Sequence, residues 1–150
     1  MLLFPAEVSR LTPTMTDVLT PKQRSRCMAA IKGKDTKPEI AVRSMLDTLK
    51  VKYELHRSDL PGKPDIVLPR RKKIIFVHGC FWHVHRCRYG RVKPASNSKF
   101  WSDKRRKNKL RDARNRAALR RNGWRLFTVW ECWTKRPAAL TKQLSEFLAS

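Results

Sequence analysis

A chain of 150 residues is long enough to bury one core and short for two independent ones, so a single site is expected. Its 35 Lys and Arg residues against 12 Asp and Glu leave a formal charge of +23, which a small domain tolerates only with a polyanionic partner, while a 41% apolar content recurring periodically points to a globular domain with a charged surface rather than a disordered chain. No run of some 18 apolar residues is present to span a bilayer, and residues 1–19 lack a basic stretch followed by a continuous apolar one, so a cytoplasmic, DNA-accessible protein is expected.

Residues 1–19, with Pro5 and Pro13, show no periodicity and are expected to be an extension outside a domain of residues 20–150. Thr20-Pro21-Lys22-Gln23 combines an N-cap, a proline at the first helical position and a capping-box Gln, predicting a short basic helix to about Ile31 whose charges, Arg24 and Arg26 among them, face DNA. Thr36-Lys37-Pro38-Glu39 repeats the signal, and Val42, Met45, Leu46 and Leu49 follow as one apolar stripe for packing on a sheet. Strands are predicted over 53–56, 65–68 and 73–78. Ile74 to Val77 is apolar at every position, as in a central strand covered on both faces. Residues 79–96 are too rich in Cys, His and Arg, and too many, for an ordinary connection. A basic helix is predicted from about 98 to 122, with Leu110, Ala113 and Ala117 inward and Gly123 as its stop. Residues 124–130 read as a buried strand, and Leu140, Leu144, Phe147 and Leu148 stripe a last helix begun near Pro137. The predicted order is α-α-β-β-β-α-β-α.

Two groups of residues carry chemistry. Cys80, His85 and Cys87 lie within eight residues, and Cys132 follows the predicted strand that ends at Trp130. A Cys3His set suits a closed tetrahedral zinc site, although the spacing is not that of a standard finger, and buried thiols beside a solvent-facing histidine are the alternative. In favour of metal, the loop has few aliphatic side chains with which to order itself. Cys27 stands apart and reads as a small, partly buried residue.

Pro61-Gly62-Lys63-Pro64-Asp65 places a carboxylate at the mouth of a strand beside an apolar strand, the first half of the metal-nuclease pattern PD-(D/E)xK. Mg²⁺ prefers such hard oxygen ligands; a plain turn Asp is the alternative. The second acid and the lysine of the pattern are missing, with Val77 where an acid is expected. His78 and His83 lie just beyond that strand, where a histidine serves as general base or acid, or simply as a hydrogen-bonded core residue. Glu39 reads first as the capping-box partner of Thr36, with a place at the edge of the sheet-facing side.

The string Phe76-Val77-His78-Gly79-Cys80-Phe81-Trp82-His83-Val84-His85-Arg86-Cys87 closely resembles the loop of the Vsr very-short-patch mismatch endonucleases. The resemblance extends to residues 24–28, to Pro61-Gly62-Lys63-Pro64-Asp65, to residues 100–108 and to 124–132, covering roughly 20–148. It implies a restriction-endonuclease-like α/β fold with a mixed sheet, and Mg²⁺-dependent nicking of duplex DNA 5′ of the thymine in a T:G mismatch left by deamination of 5-methylcytosine. By position, it implies Asp65 as the catalytic metal ligand and Val77 as the residue whose carbonyl touches the metal. A threonine is expected at the Val77 position, so a hydroxyl is lost here. His83 resembles the proton-transfer histidine, with His78, Glu39 and Asp112 in supporting positions, and Cys80, His85, Cys87 and Cys132 match the zinc ligands. Phe81, Trp82 and Trp101 resemble aromatics that wedge into the base stack, with Met28 from the opposite groove and Arg24, Arg26, Lys107 and Asn108 as further DNA contacts. Polar, basic surroundings lead Trp82 and Trp101 to be expected at an exposed interface, core packing being the alternative. Asymmetric recognition of one strand favours a monomer, and mismatch-repair proteins are possible partners. Two rivals remain at this point: a non-enzymatic zinc-containing nucleic-acid-binding protein, and a nicking nuclease of the same fold without mismatch specificity.

Overall fold

The computed structural model describes residues 20–23 and 34–150. Residues 1–19, Arg24, Arg26, Cys27 and Met28 lie outside that range, so the expected extension and the first helix's DNA contacts are not part of the description. At residues 21–23 the chain is helical, and the capping box is formed: the Gln23 N–H donates to Thr20 Oγ1 at 3.2 Å and the Thr20 N–H to Gln23 Oε1 at 2.8 Å.

Helix α1 runs Lys37–Thr48, capped by Thr36 and started by Pro38. Strands β1 (Glu54–Leu55), β2 (Ile66–Leu68), β3 (Lys73–His78) and β4 (Arg125–Trp130) form one sheet in that spatial order. The first two pairings are antiparallel and β3–β4 is parallel. The parallel pair needs a crossover, which helix α2 (Ser98–Arg121) supplies, and helix α3 (Pro137–Ala149) closes the chain. The sheet is therefore mixed.

Alternation along β3 explains its unbroken apolar run. Ile75 and Val77 face α1 and α3, in a core with Val42, Leu46, Ile66, Leu68, Val129, Leu140, Leu144 and Leu148. Ile74 and Phe76 face the other way, against Val67, Leu119 and Trp124. Both faces are dry, as such a strand requires.

Helix α2 departs from the expected packing. Leu110 is 55% exposed, Ala113 and Ala117 are exposed too, and the buried residues are Trp101 and Leu119. The inward face instead carries Trp101, Arg105, Asn108, Asp112 and Leu119, a helical repeat made mostly of polar residues. Apolarity identifies a core-facing stripe only where the helix covers a core; α2 covers a polar loop and cavity for most of its length.

At the far end of the sheet, Lys73 is 4% exposed and its ammonium donates to the carbonyls of Phe147, Leu148 and Ser150 at 2.7–2.9 Å. It thus supplies donors to the C-terminal carbonyls of α3, where the helix dipole favours a cation. Lys73→Met keeps the stem and removes the ammonium; Arg71 still donates to Leu148 and the Ser150 hydroxyl to Phe147, but the Ser150 carbonyl loses its donor and the helix end its cation, so urea unfolding should show a loss of about 1–3 kcal/mol. An unchanged midpoint would mean that water replaces the ammonium at no cost.

Candidate active site and metal cluster

Asp65 immediately precedes β2. Its Oδ2 accepts from the Val77 N–H at 2.8 Å, which fixes the carboxylate against the end of β3. Burial pushes its pKa up to about 6; the Val77 bond acts the other way, and the nearby charge of Glu39 adds to the rise. The site thus holds a carboxylate whose charge the protein alone stabilises poorly, as a cation-binding position demands.

His83 sits four residues beyond Gly79 and its N–H closes a turn onto the Gly79 carbonyl at 3.2 Å. Its Nδ1 is 2.5 Å from Asp112 Oδ2 on the inward face of α2. Burial of Asp112 works against its charge, but the His83 ring and Arg111 outweigh that and hold the carboxyl below its usual range. His78 stacks on His83 with centroids 3.8 Å apart and planes 9° from parallel. Burial and the His83 ring push the His78 pKa down to about 3, so it stays neutral and serves His83 as a flat support.

Asp65, Val77, His78, His83 and Asp112 line one cavity of about 800 Å³, with Gly62 and Lys63 on one wall and Arg111, Arg114, Asn115 and Arg116 on the other. Gly62 is required there: its φ is +79° and a Cβ would come within 3.1 Å of the Asn115 side chain. Four cations, Lys63, Arg111, Arg114 and Arg116, around two carboxylates and two histidines suit a phosphodiester.

Glu39 is 1% exposed. Its N–H donates to Thr36 Oγ1 at 3.4 Å, but its own carboxylate accepts from the Asp35 N–H at 2.6 Å and not from Thr36, so the cap is reciprocal with an offset of one. The other oxygen meets Nε2 of His56.

The loop between β3 and α2 brings Cys80, His85 and Cys87 to Cys132, in the turn after β4. Their ligand atoms all lie within 4.8 Å of one another, and Cys132 Sγ is 3.5 Å from His85 Nδ1. A tetrahedral centre with metal–sulfur bonds of about 2.3 Å sets its ligands about 3.8 Å apart, so the set fits one ion with small adjustment. The donor chemistry agrees. Burial raises the thiol pKa of Cys80 and Cys132, and each is raised further by neighbouring thiolate charge. Burial acts on Cys87 in the same direction, but the N–H groups of Gly90 and Tyr89 and a bond from Cys80 prevail and lower it. Three crowded sulfurs of this kind await a cation. Gly90 is packed so closely on His85 that a Cβ would fall 1.9 Å from its carbonyl oxygen.

Arg105 holds the same loop from α2, donating to the carbonyls of Phe81 (2.9 Å), Val92 (3.3 Å) and Gly90. Asn108 donates to the Trp82 carbonyl at 3.1 Å, so it braces the loop, whereas Lys107 is exposed. The expected exposure of Trp82 and of Trp101, on α2, is corrected. Phe81 and Trp101 are 2% and 1% exposed, forming with half-buried Trp82 and Val92 a core of their own. The loop's own aromatics bury one another because it has no other apolar surface to fold on. Phe100, beside Trp101, is the aromatic left exposed on α2.

With this geometry in view, similarity to known proteins is decisive. The chain is 47% identical over 134 residues to the type II nicking enzyme V.XorIIP of Xanthomonas oryzae pv. oryzae, covering 89% of this chain and 98% of that one. Residues 16–89 match the family model described as DNA mismatch endonuclease Vsr. The chain belongs to the Vsr family. The type II nicking enzyme V.NmeAIP of Neisseria meningitidis is 40% identical over 89% of this chain and 95% of its own length. The DNA mismatch endonuclease Vsr of Escherichia coli is 38% identical over 89% of this chain and 88% of its own length. Membership in an endonuclease family weighs against the non-enzymatic reading of the basic surface. Among the described residues, no helix is long and apolar enough to cross a membrane.

Two residues beside the site carry no signal in the sequence: His56, bonded to Glu39, and Arg105, which holds the loop. His56 falls at the end of a short strand, where neither spacing nor motif marks it. Arg105 is one of many basic residues on α2, and only its inward direction, set by the phase of Trp101 and Asp112, distinguishes it.

Proposed function

We propose that this Vsr-family protein is a metal-dependent endonuclease that nicks duplex DNA 5′ of the mismatched thymine in a T:G pair arising from 5-methylcytosine deamination. The observation that carries the reading is that Asp65 and the His83–Asp112 pair line one cavity ringed by Lys63, Arg111, Arg114 and Arg116. A carboxylate at the mouth of β2 beside the apolar strand β3 also supports a restriction-endonuclease-like fold of the PD-(D/E)xK type, with Val77 in place of the second acid.

Asp65 and the Val77 carbonyl would hold Mg²⁺, which when bound supplies Lewis-acid polarisation of the scissile phosphate. The remaining work falls to the chain. Asp112 fixes the His83 ring through Nδ1 and leaves Nε2 to take a proton from the attacking water, while His78 keeps the ring plane. Lys63 and the three arginines neutralise the phosphate as charge builds on it. Glu39, buried outside the cavity, acts on Asp65 through its charge, which raises the Asp65 pKa and favours a bound cation. Cys80, His85, Cys87 and Cys132 form a structural zinc site, the ion a closed Cys3His set prefers. A monomer acting on DNA in the bacterial cytoplasm suits an asymmetric lesion, with mismatch-repair proteins as candidates for recruitment.

Phe81, Trp82 and Trp101 reach a base stack only if the cluster they form opens towards DNA, a change that a helix-distorting lesion favours. A few kcal/mol saved in unstacking at a mismatch gives a preference of ~100-fold. End-labelled duplexes with one T:G pair, against T:A and C:G controls in Mg²⁺, should show nicking 5′ of the mismatched thymine with that preference. Several relatives are named as nicking enzymes, which favours a second reading without mismatch selectivity. Equal nicking of T:G and T:A duplexes would establish it, and no nicking of any duplex would overturn both.

A further inference from the structure

We infer that His56 is a positioning residue of this site, tying the buried carboxylate of Glu39 to the strand end that carries Asp65. The inference rests on the endonuclease reading above.

His56 follows β1 directly, opposite Asp65, and its φ of +48° lies in the left-handed region that a non-glycine residue seldom occupies. In that conformation its main-chain N–H donates to the Asp65 carbonyl at 3.1 Å. Its ring turns the other way, placing Nε2 on Glu39 Oε1. One residue therefore grips one acid through its backbone and the other through its side chain.

Among the described residues the bond to Glu39 has no substitute. Oε2 is satisfied by the Asp35 N–H at 2.6 Å, but apart from His56 the one described cation near Oε1 is Arg43, at 3.9 Å. That distance is beyond hydrogen bonding, and Arg43 is itself engaged with Asp35 Oδ1 at 2.8 Å. A buried carboxylate with one oxygen unpaired is costly and turns towards another donor, which moves it from the position His56 holds. Asp65 feels both groups, Glu39 raising its pKa and His56 lowering it, so the three sit in one electrostatic environment. A displacement of about 1 Å in such a group costs up to ~100-fold in rate.

Two substitutions separate positioning from a turn-forming role. Asn tolerates left-handed backbone well but is too short to reach Glu39, whereas Gln carries an amide N–H far enough to replace Nε2. In single-turnover nicking of the T:G duplex, His56→Asn should lower the rate constant ~10- to 100-fold. His56→Gln should stay within about 3-fold of wild type, and duplex affinity measured in Ca²⁺ should be unchanged in both. Because His56 acts through Glu39, adding His56→Asn to Glu39→Gln should slow the enzyme no further than Glu39→Gln alone. That comparison reads the coupling even if His56→Asn loses stability, since both arms are taken at a temperature where each variant is folded by circular dichroism. Wild-type rates in His56→Asn, a Gln variant as slow as Asn, or fully additive losses would each overturn the inference. Failure of the wild type to nick any duplex would instead overturn the endonuclease reading on which it rests.

Discussion

Asp65→Asn should lower the single-turnover nicking rate by about 1000-fold or more while leaving the chelated protein as stable as wild type or about 1–2 kcal/mol more stable. The rate loss follows from removing the only carboxylate that both lines the cavity and is tied to β3. The stability gain follows from burial. An Asp whose pKa moves from 3.8 to about 6 carries a cost when ionised, and the site's partial opening to water keeps that cost below the ideal figure of about 1.4 kcal/mol per pH unit. The Asn carbonyl still accepts from Val77, so no donor is orphaned. The sign in pH is fixed: the folded state holds its proton more tightly than the unfolded chain, so the Asp65 contribution is full below about pH 4 and lost as pH rises through about 6. Chemical denaturation in EDTA at pH 4.5 and 7.5 should show that loss in wild type and not in the variant. A variant clearly less stable than wild type at pH 7.5 would mean that Asp65 is a structural ion-pair partner and not a strained cation ligand.

The same contrast between structural ease and functional strain separates what was legible in the sequence from what was not. The strands over 66–68 and 73–78 and the helices begun at Lys37 and Pro137 follow from local signals, because caps, prolines and apolar period all agree there. The packing face of helix α2 is hidden in the sequence because its neighbour is a polar loop; the residues that matter, Arg105, Asn108 and Asp112, have the composition of a solvent face. Trp82 and Trp101 were expected outside for the converse reason, since polar neighbours in sequence said nothing of the aromatic partners folded against them. His56 stayed invisible because its role depends on a positive φ and on a helix seventeen residues away in sequence. The gathering of Cys132 with the three loop ligands could be argued from spacing only weakly, and came through the family resemblance; the structure closes the set to within 4.8 Å.

That closure sets up the second large effect. Cys132→Ser, or removal of bound metal by a strong chelator, should lower the melting temperature by roughly 10 °C, several kcal/mol for a domain of this size. The loop it holds has few other ties: a small aromatic cluster, three carbonyl bonds from Arg105, one from Asn108 and the His83–Asp112 pair. The effect should reach catalysis as well, because His83 lies between two of the ligands, Cys80 and His85, and is fixed from the other side by Asp112. Freed from the cluster, the His83 ring loses one of its two anchors, so the nicking rate should fall by ~10- to 100-fold at a temperature where the variant is still folded, with duplex affinity little changed. Elemental analysis of the purified wild type should find one equivalent of zinc, and Cys132→Ser should hold much less. If the wild type carries no metal and Cys132→Ser melts with it, the four side chains are a packed thiol cluster. The loop would then owe its order to the buried aromatics and to the bonds from α2, and Arg105→Ala, which removes three of those bonds, would be the substitution that loosens His83.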